Sequence, residues 1–348
     1  MSNEDRNIEE IIFRSLEFDL SSFQRNKLEK LLIRVAQWDK LINLLYFHQI
    51  IYLLYYNLSK LQYISYLPAH IINFLKEIYF NNLIRNIMLR DEFIQLNELA
   101  KEMGCKIVPF KGLALLESIY TDYGLRSFAD IDILVEEKDV FKIKNTLLKR
   151  GYEEKGQKNN LLFVKKISKD INCIIELHTA FSPPRPYKVY IGKLWERLES
   201  KNLSGKTVFF LSKEDTFLSL IFHLRRHTQN LILKFIYDIA IFLFLYGDDL
   251  DWQYIFDLAM RNHIKNTVYF SFYISKEFFN VTIPSEIMNR FKPSYITQKF
   301  MYLCLNKNNF FKNNFFRRYF LRILLFDSLG DIFLYFYRIV TEFKKRCV

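Results

Sequence analysis

The spacing of apolar residues changes twice along this chain, and the change restricts it to a small mixed sheet set between helical regions. From residue 6 to 103 apolar residues recur every three or four positions, as in "FQRNKLEKLLIRVAQWDKLINLLYFHQIIYLLYYNL" and, after Pro68, in "INFLKEIYFNNLIRNIMLRDEFIQLNELAKEMG". That is the period of helices with one buried face, and Gly104 is expected to close the last of them as a C-cap. Shorter pieces follow: a strand "KIVPF", a turn at Lys111-Gly112, a helix "LALLESIYTD", a strand "DIDILVE" and a helix "KDVFKIKNTLLKRG" closed by Gly151. The strands "NLLFVKK" and "NCIIELHT" come next, joined by the polar "ISKDI". From about residue 190 the pattern is again helical, with breaks near Gly205, Gly247 and Pro284. The expected class is α+β: a helical region over 1–103, a small mixed β-sheet core over 104–190, a helical domain over 191–284 and a basic, aromatic helical tail over 285–348. No internal repeat is visible.

Half of the 348 residues are hydrophobic, with 35 Phe and 22 Tyr, which excludes a solvated, disordered chain. The stretch "MSNEDRNIEEIIFRSLEFDLSS" starts acidic and never reaches an uninterrupted apolar run. It reads as neither a signal nor a transit peptide, so a cytoplasmic protein is expected. Cys105, Cys173, Cys304 and Cys347 stand far apart without metal-ligand or redox spacing, as free thiols in a reducing compartment do. Two segments, 231–246 and 319–340, imitate membrane spans. Lys234 and Asp238 interrupt the first, and Arg322, Asp327, Asp331 and Arg338 the second. A central charge costs about 2.5–3.5 kcal/mol, so both read as buried helices and no transmembrane segment is expected.

Within the core, one run conflicts with its surroundings. In "ADIDILV" the apolar residues suit a buried strand, yet Asp130 and Asp132 lie two apart and would point to one face. Adjacent buried carboxylates repel, so a stable protein protonates one, pairs them with bases or neutralises them with a cation. Hard oxygen ligands at this separation suit Mg²⁺. Exposed edge strands carry such pairs too, and the third carboxylate changes the weighing. In "NCIIELHT", Ile174, Glu176 and His178 share a face, and pairing of this strand beside "DIDILV" would bring Glu176 to Asp130 and Asp132. Three such acids form a two-metal site for in-line displacement at phosphorus. The Lys111-Gly112 turn would direct backbone N–H groups and a helix dipole into the same gap, with Gly112 allowing close backbone approach. That suits a polyphosphate, to which Lys111 adds a point charge and Arg126 a fork-shaped donor. His178 has two readings, a site residue or a buried hydrogen-bonded histidine.

Together, "FKG", "YTDYGLRSFADIDILV" and "IIELH" resemble the nucleotidyltransferase superfamily, which includes DNA polymerase β and the aminoglycoside nucleotidyltransferases. The similarity is greatest to a bacterial branch of uncharacterised nucleotidyltransferases. That branch carries Lys-Gly, then Tyr, Gly and Arg, then Asp-x-Asp, and later Glu-x-His. His227, Asp238 and "LDWQYIFDLA" also match its downstream helical pattern. The resemblance spans about residues 70–285, with its informative motifs in 108–178. Two departures stand out: the superfamily's usual Gly-Ser turn is Lys-Gly here, and the spacer to Asp130 is longer than in the minimal enzymes. The resemblance implies a Mg²⁺-dependent enzyme, with Mn²⁺ as the alternative, that transfers an NMP from an NTP to an acceptor hydroxyl on a small molecule, a protein or RNA. It implies Asp130, Asp132 and Glu176 as catalytic acids and metal ligands, the first two holding nucleotide-bound metal and Glu176 assisting the acceptor hydroxyl. Lys111, Gly112, Arg126 and His178 would bind the nucleotide. The alternatives are an inactive nucleotide-binding or interaction module, and a toxin–antitoxin-type component that modifies a protein or tRNA.

Three other features invite function. His223 and His227 have the four-residue spacing of a zinc pair, but no Glu follows His223 and no third ligand is evident, so packing or substrate contact is expected. "SGKTVFF" imitates the end of a P-loop, but a strand-like run follows where a helix is needed. From Ser285 to Val348, 12 Lys and Arg face only Glu286, Asp327, Asp331 and Glu342, which accounts for +8 of the formal +12. Basic residues interleaved with aromatics there suit either a polyanion, nucleic acid or an anionic membrane surface, or a helical subdomain with a solvated basic face.

Overall fold

The computed structural model describes residues 3–17, 22–59, 67–156, 161–182, 189–312 and 315–346. They form two compact units: Met1–Thr179 with Glu199–Phe210 and Ile232–Lys234, and Ala180–Leu198 with Leu211–Leu231 and Phe235–Val348. Cys105, Cys173 and Cys304 are free and buried; Cys347 lies outside the described residues.

The first unit opens with helices α1 (Asn3–Arg14), α2 (Ser22–Leu32), α3 (Trp38–Phe47) and α4 (Ile51–Leu58), followed by the 34-residue α5 (Ala69–Glu102), which starts directly after Pro68. Gly104, at φ +69°, closes α5: its N–H reaches Lys101 O, and that of Cys105 reaches back to Ala100 O. This paired bonding lets glycine stop a helix while satisfying its last carbonyls. Gly151 does the same for α7 (Val140–Lys149) at φ +81°, with the Tyr152 N–H bonded to Leu147 O. Between these helices lie β1 (Ile107–Phe110), the short α6 (Gly112–Leu116) and β2 (Ile131–Val135); β3 (Glu153–Glu154), β4 (Leu161–Lys166) and β5 (Asn172–His178) follow.

The five strands form one mixed sheet, ordered β1-β2-β5-β4-β3, in which only the β2–β5 pair is parallel. Alternation decides what each face meets. Ile131, Ile133 and Val135 of β2 and Cys173, Ile175 and Leu177 of β5 join Leu89, Phe93, Leu96 and Ala100 of α5 in one core. The intervening residues, Asp132, Glu176 and His178 among them, therefore share the opposite face. The architecture is α+β, as the periodicity predicts.

Two local expectations are corrected. The helix expected over "LALLESIYTD" stops at Leu116; the residues beyond it include Ile119, Tyr120, Thr121 and Tyr123, all weak helix formers. Within the stretch expected to be helical from about 190, with a break near Gly205 and a strand-like run after it, residues 199–210 form a hairpin of β6 (Glu199–Leu203) and β7 (Lys206–Phe210). Ser204 and Gly205 both have positive φ, at +51° and +81°, as a two-residue hairpin turn requires. Alternation then places Val208 and Phe210 in the core.

The second unit contains α8 (Lys213–His227), most of α9 (Leu233–Tyr246), α10 (Trp252–Arg261), α11 (Lys265–Phe279), α12 (Ser285–Phe291), α13 (Tyr295–Cys304), α14 (Phe315–Leu324) and α15 (Leu329–Arg346). The C-terminal helices are stitched into it: the Asp327 carboxylate accepts the N–H groups of Lys265 and Asn266, at 2.9 and 2.8 Å, and so caps α11. Among the described residues, no helix is long and apolar enough to cross a membrane.

A buried polar knot ties α5 to the far side of the sheet. Glu92 Oε1 receives Arg150 Nη2 at 3.1 Å, Tyr152 Oη at 3.1 Å and Lys165 Nζ at 3.0 Å. Burial pushes its carboxyl up, but Lys165 and Arg150 outweigh burial and hold it below the usual glutamate range. Because the folded-state pKa is depressed, this stabilisation is complete above the unfolded value and is lost as pH falls through the folded one. Glu92→Gln should cost about 2 kcal/mol at pH 7, the scale of hydrogen bonds to a charged group. The gap to the native chain should close in acid, which denaturant melts across pH 2–7 would measure.

Candidate active site

The parallel pairing of β2 with β5 sets Asp132 directly opposite Glu176, and Leu134 opposite His178. Two carboxylates thus face each other across adjacent strands, an arrangement that is destabilising on its own. The neighbouring elements supply the compensation. Lys111 Nζ lies 2.6 Å from Asp132 Oδ1, and His178 Nε2 lies 2.9 Å from the same oxygen and 3.4 Å from Glu176 Oε2. All four side chains are nearly or largely buried. Phe110, which pairs with Asp132 in the β1 register, meets the His178 ring edge-on at 5.0 Å and lies under Lys111 Nζ at 4.5 Å.

The electrostatics follow from these contacts. Burial pushes the Asp132 carboxyl up, but the Lys111 ammonium and then His178 outweigh it and hold the group well below the usual carboxylate range. Glu176 is lowered chiefly by its hydrogen bond with His178. Burial pushes the His178 imidazole down, yet Asp132 and Glu176 together raise it above its ordinary value. Asp130, one residue before β2, is pushed up by burial and then by the charges of Asp132 and Glu176. Of the three ways to relieve crowded carboxylates, this chain therefore shows two: base pairing at Asp132 and Glu176, and a bias toward protonation at Asp130. The third, a cation, also suits the donors. Asp132, Glu176 and His178 each offer a ligand atom, all within 4.8 Å of one another, the one such group found among the described residues; Asp130 stands outside it.

The turn before the site differs from the expected phosphate cradle. Lys111 is at φ +57°, a left-handed conformation that favours glycine and that a lysine adopts only under constraint. Gly112 has no such φ; its role is space, since a Cβ there would sit 2.7 Å from Phe128 Cβ. The close approach it allows is that of Phe128. With only five residues, α6 aligns too few peptide dipoles to act as the expected anion-binding helix.

Sequence reasoning missed how the loop between α6 and β2 is held. Asn82 Nδ2 donates to Gly124 O at 2.9 Å, and Asn86 Nδ2 to Tyr123 O and Arg126 O at 2.6 and 2.8 Å. Arg85 donates to Phe128 O and, at 3.0 Å, to Ala129 O, the residue before Asp130. Arg90 Nε pairs with Glu117 at 2.6 Å. Gly124 is needed because a Cβ there would be 2.5 Å from the Tyr79 ring. Residues "YGLR" are thus bound to α5, which buries Arg126 at 5% exposure. A signal was present: Asn82, Asn86 and Arg90 recur every four residues along α5 and so lie on one face of the helix.

The remaining candidates resolve locally. The His223 and His227 rings lie 4.4 Å apart, tilted at 42°, with Phe235 against both, and they join no metal-binding group among the described residues. "SGKTVFF" is the β6–β7 hairpin.

No curated protein and no solved structure matches the chain. A family model described as uncharacterised nucleotidyltransferase matches residues 34–280, which takes in α5, the whole sheet, the carboxylate pair and α8 to α11. The chain belongs to this uncharacterised nucleotidyltransferase family.

Proposed function

We propose that the protein transfers an NMP from an NTP to an acceptor hydroxyl in a Mg²⁺-dependent reaction, with pyrophosphate leaving, in the cytoplasm. The observation that carries this reading is the Asp132–Glu176 pair, set face to face by the strand register with a lysine already at hand. A bound divalent cation would supply charge neutralisation of the triphosphate and a Lewis acid at phosphorus. Asp132 and Glu176 would hold it, with Asp130 beside them. Lys111 would place its ammonium against phosphate oxygens, and Arg126 would offer a planar donor from the loop bound to α5. Gly112 keeps that turn closed on Phe128. Glu176 would orient the acceptor hydroxyl and accept its proton. The acceptor class, small molecule, protein or RNA, would be identified by incubating the protein with labelled NTPs and a cell extract and following the label.

A polyanion contact is a second reading, favoured by one observation: no Asp or Glu occurs between Glu286 and Asp327, while Lys299, Lys312 and Arg317 are exposed there. Arg318 is engaged within its own unit, donating to Leu231 O and Phe310 O, so it is a poor choice for testing charge alone.

Three outcomes are expected. Mg²⁺ with ATP should raise the melting temperature of the native chain by mass action. Asp132→Asn should abolish that shift while lowering the starting stability, because it strips Lys111 of its buried partner; an undiminished shift in the variant would rule out the metal role. Glu176→Gln should reduce turnover about 100-fold or more, the scale of lost general-base assistance, and should also weaken the Mg²⁺-ATP shift, since Glu176 is one of the two acids that would hold the cation. A native chain that binds Mg²⁺-ATP but labels no acceptor would point to the non-catalytic module. Replacing Lys299, Lys312 and Arg317 by Gln should flatten the salt dependence of RNA or anionic-vesicle binding, whereas salt-insensitive binding in the native chain would remove the polyanion reading.

A further inference from the structure

We infer that His178 is itself a ligand of the cation at this site, and that the site consequently selects a transition-metal ion of the Mn²⁺ class over Mg²⁺. The inference rests on the metal-dependent reading above and deepens it. Three observations support it, none of them dependent on titration.

The first is the donor set. The ligand atoms that cluster within 4.8 Å come from Asp132, Glu176 and His178, two carboxylates and one imidazole, and Asp130 is not among them. Mg²⁺ keeps to oxygen donors, whereas an imidazole nitrogen suits first-row transition ions. The second is spacing. Ligand atoms about 2.1 Å from one ion at right angles to each other lie about 3 Å apart, and His178 Nε2 is 2.9 Å from Asp132 Oδ1 and 3.4 Å from Glu176 Oε2. The third is preorganisation. The His178 ring is held edge-on by Phe110 at 5.0 Å, and its backbone is fixed in the β2–β5 register opposite Leu134. Nε2 therefore already points between the two carboxylates. Lys111 shares Asp132 Oδ1 with His178, so cation entry would release the ammonium from that oxygen and leave it available to a phosphate.

The competing account gives His178 only a positioning role, as a hydrogen-bond partner that orients Asp132 and Glu176. The two accounts differ in selectivity. Mn²⁺ binding to the full-length protein, followed by the loss of the free-ion EPR signal and competed with Mg²⁺, should show Mn²⁺ preferred about tenfold or more. His178→Gln should weaken Mn²⁺ about tenfold or more while changing Mg²⁺ by less than about threefold, collapsing the preference. Equal weakening of both ions, or no preference in the native chain, would overturn the inference and leave His178 as a positioning residue. Pulsed EPR of Mn²⁺ on the native protein supplies a readout that does not depend on the variant folding. Nitrogen modulation from a bound imidazole is expected, and its absence overturns ligation. Failure of both ions to bind would overturn the metal-dependent reading as well, whereas Mg²⁺ binding without Mn²⁺ preference sinks only this inference.

Discussion

Like charge on one face of a parallel strand pair is the constraint around which the first unit is arranged. Asp132 and Glu176 stand opposite each other in a nearly buried setting, where two unpaired carboxylates would each shift toward protonation to escape the cost of desolvation. Lys111 and His178 prevent this by sharing one oxygen of Asp132. The backbone accommodates the same need, since Lys111 takes a positive φ to bring its ammonium to the strand. A positive φ at a residue that also neutralises a buried acid persists only where the surrounding structure fixes that residue in place.

Charge placement in turn needs a rigid loop, because the segment from Glu117 to Asp130 has little regular structure with which to satisfy its own backbone. Buried carbonyls without partners would be costly. The long helix α5 supplies those partners from Asn82, Arg85 and Asn86, and it binds the sheet's opposite edge through Glu92. One helix thus serves as core on its apolar side and as hydrogen-bond template on its polar side. Asp130 and Arg126 reach their positions through it.

The second unit follows a different economy. Its C-terminal helices carry most of the chain's excess positive charge, yet two of their four acids turn inward: Asp327 caps α11, and Asp331 is fully buried beside Ser328 and His263. Between Glu286 and Asp327 the chain carries basic and aromatic residues without carboxylates. Internal capping consumes the acids because helix N-termini need acceptors. The sign of the exposed surface is in part a by-product of how these helices are joined.

Much of this was legible in the residues themselves. The 3.6-residue period marked the helices, the glycines after α5 and α7 marked their ends, and alternation in "DIDILV" and "NCIIELH" placed Asp132, Glu176 and His178 on consistent faces. These are local properties, dictated by backbone geometry that each segment carries with it. At 199–210 the strand-like run after Gly205 was visible, but the partner strand before Ser204 was not, because "ESKNL" is mostly polar and shows no apolar alternation. What only the tertiary structure decided is which groups meet. The parallel register that opposes Asp132 to Glu176, the sharing of Asp132 between Lys111 and His178, the filling of the Gly112 space by Phe128 and the capture of the "YGLR" loop by α5 all join residues far apart in the chain. Periodicity specifies the face a side chain presents but carries no information about the partner on the next strand or helix. That partner is selected by the packing of the whole core, where each buried charge must find its counter-ion.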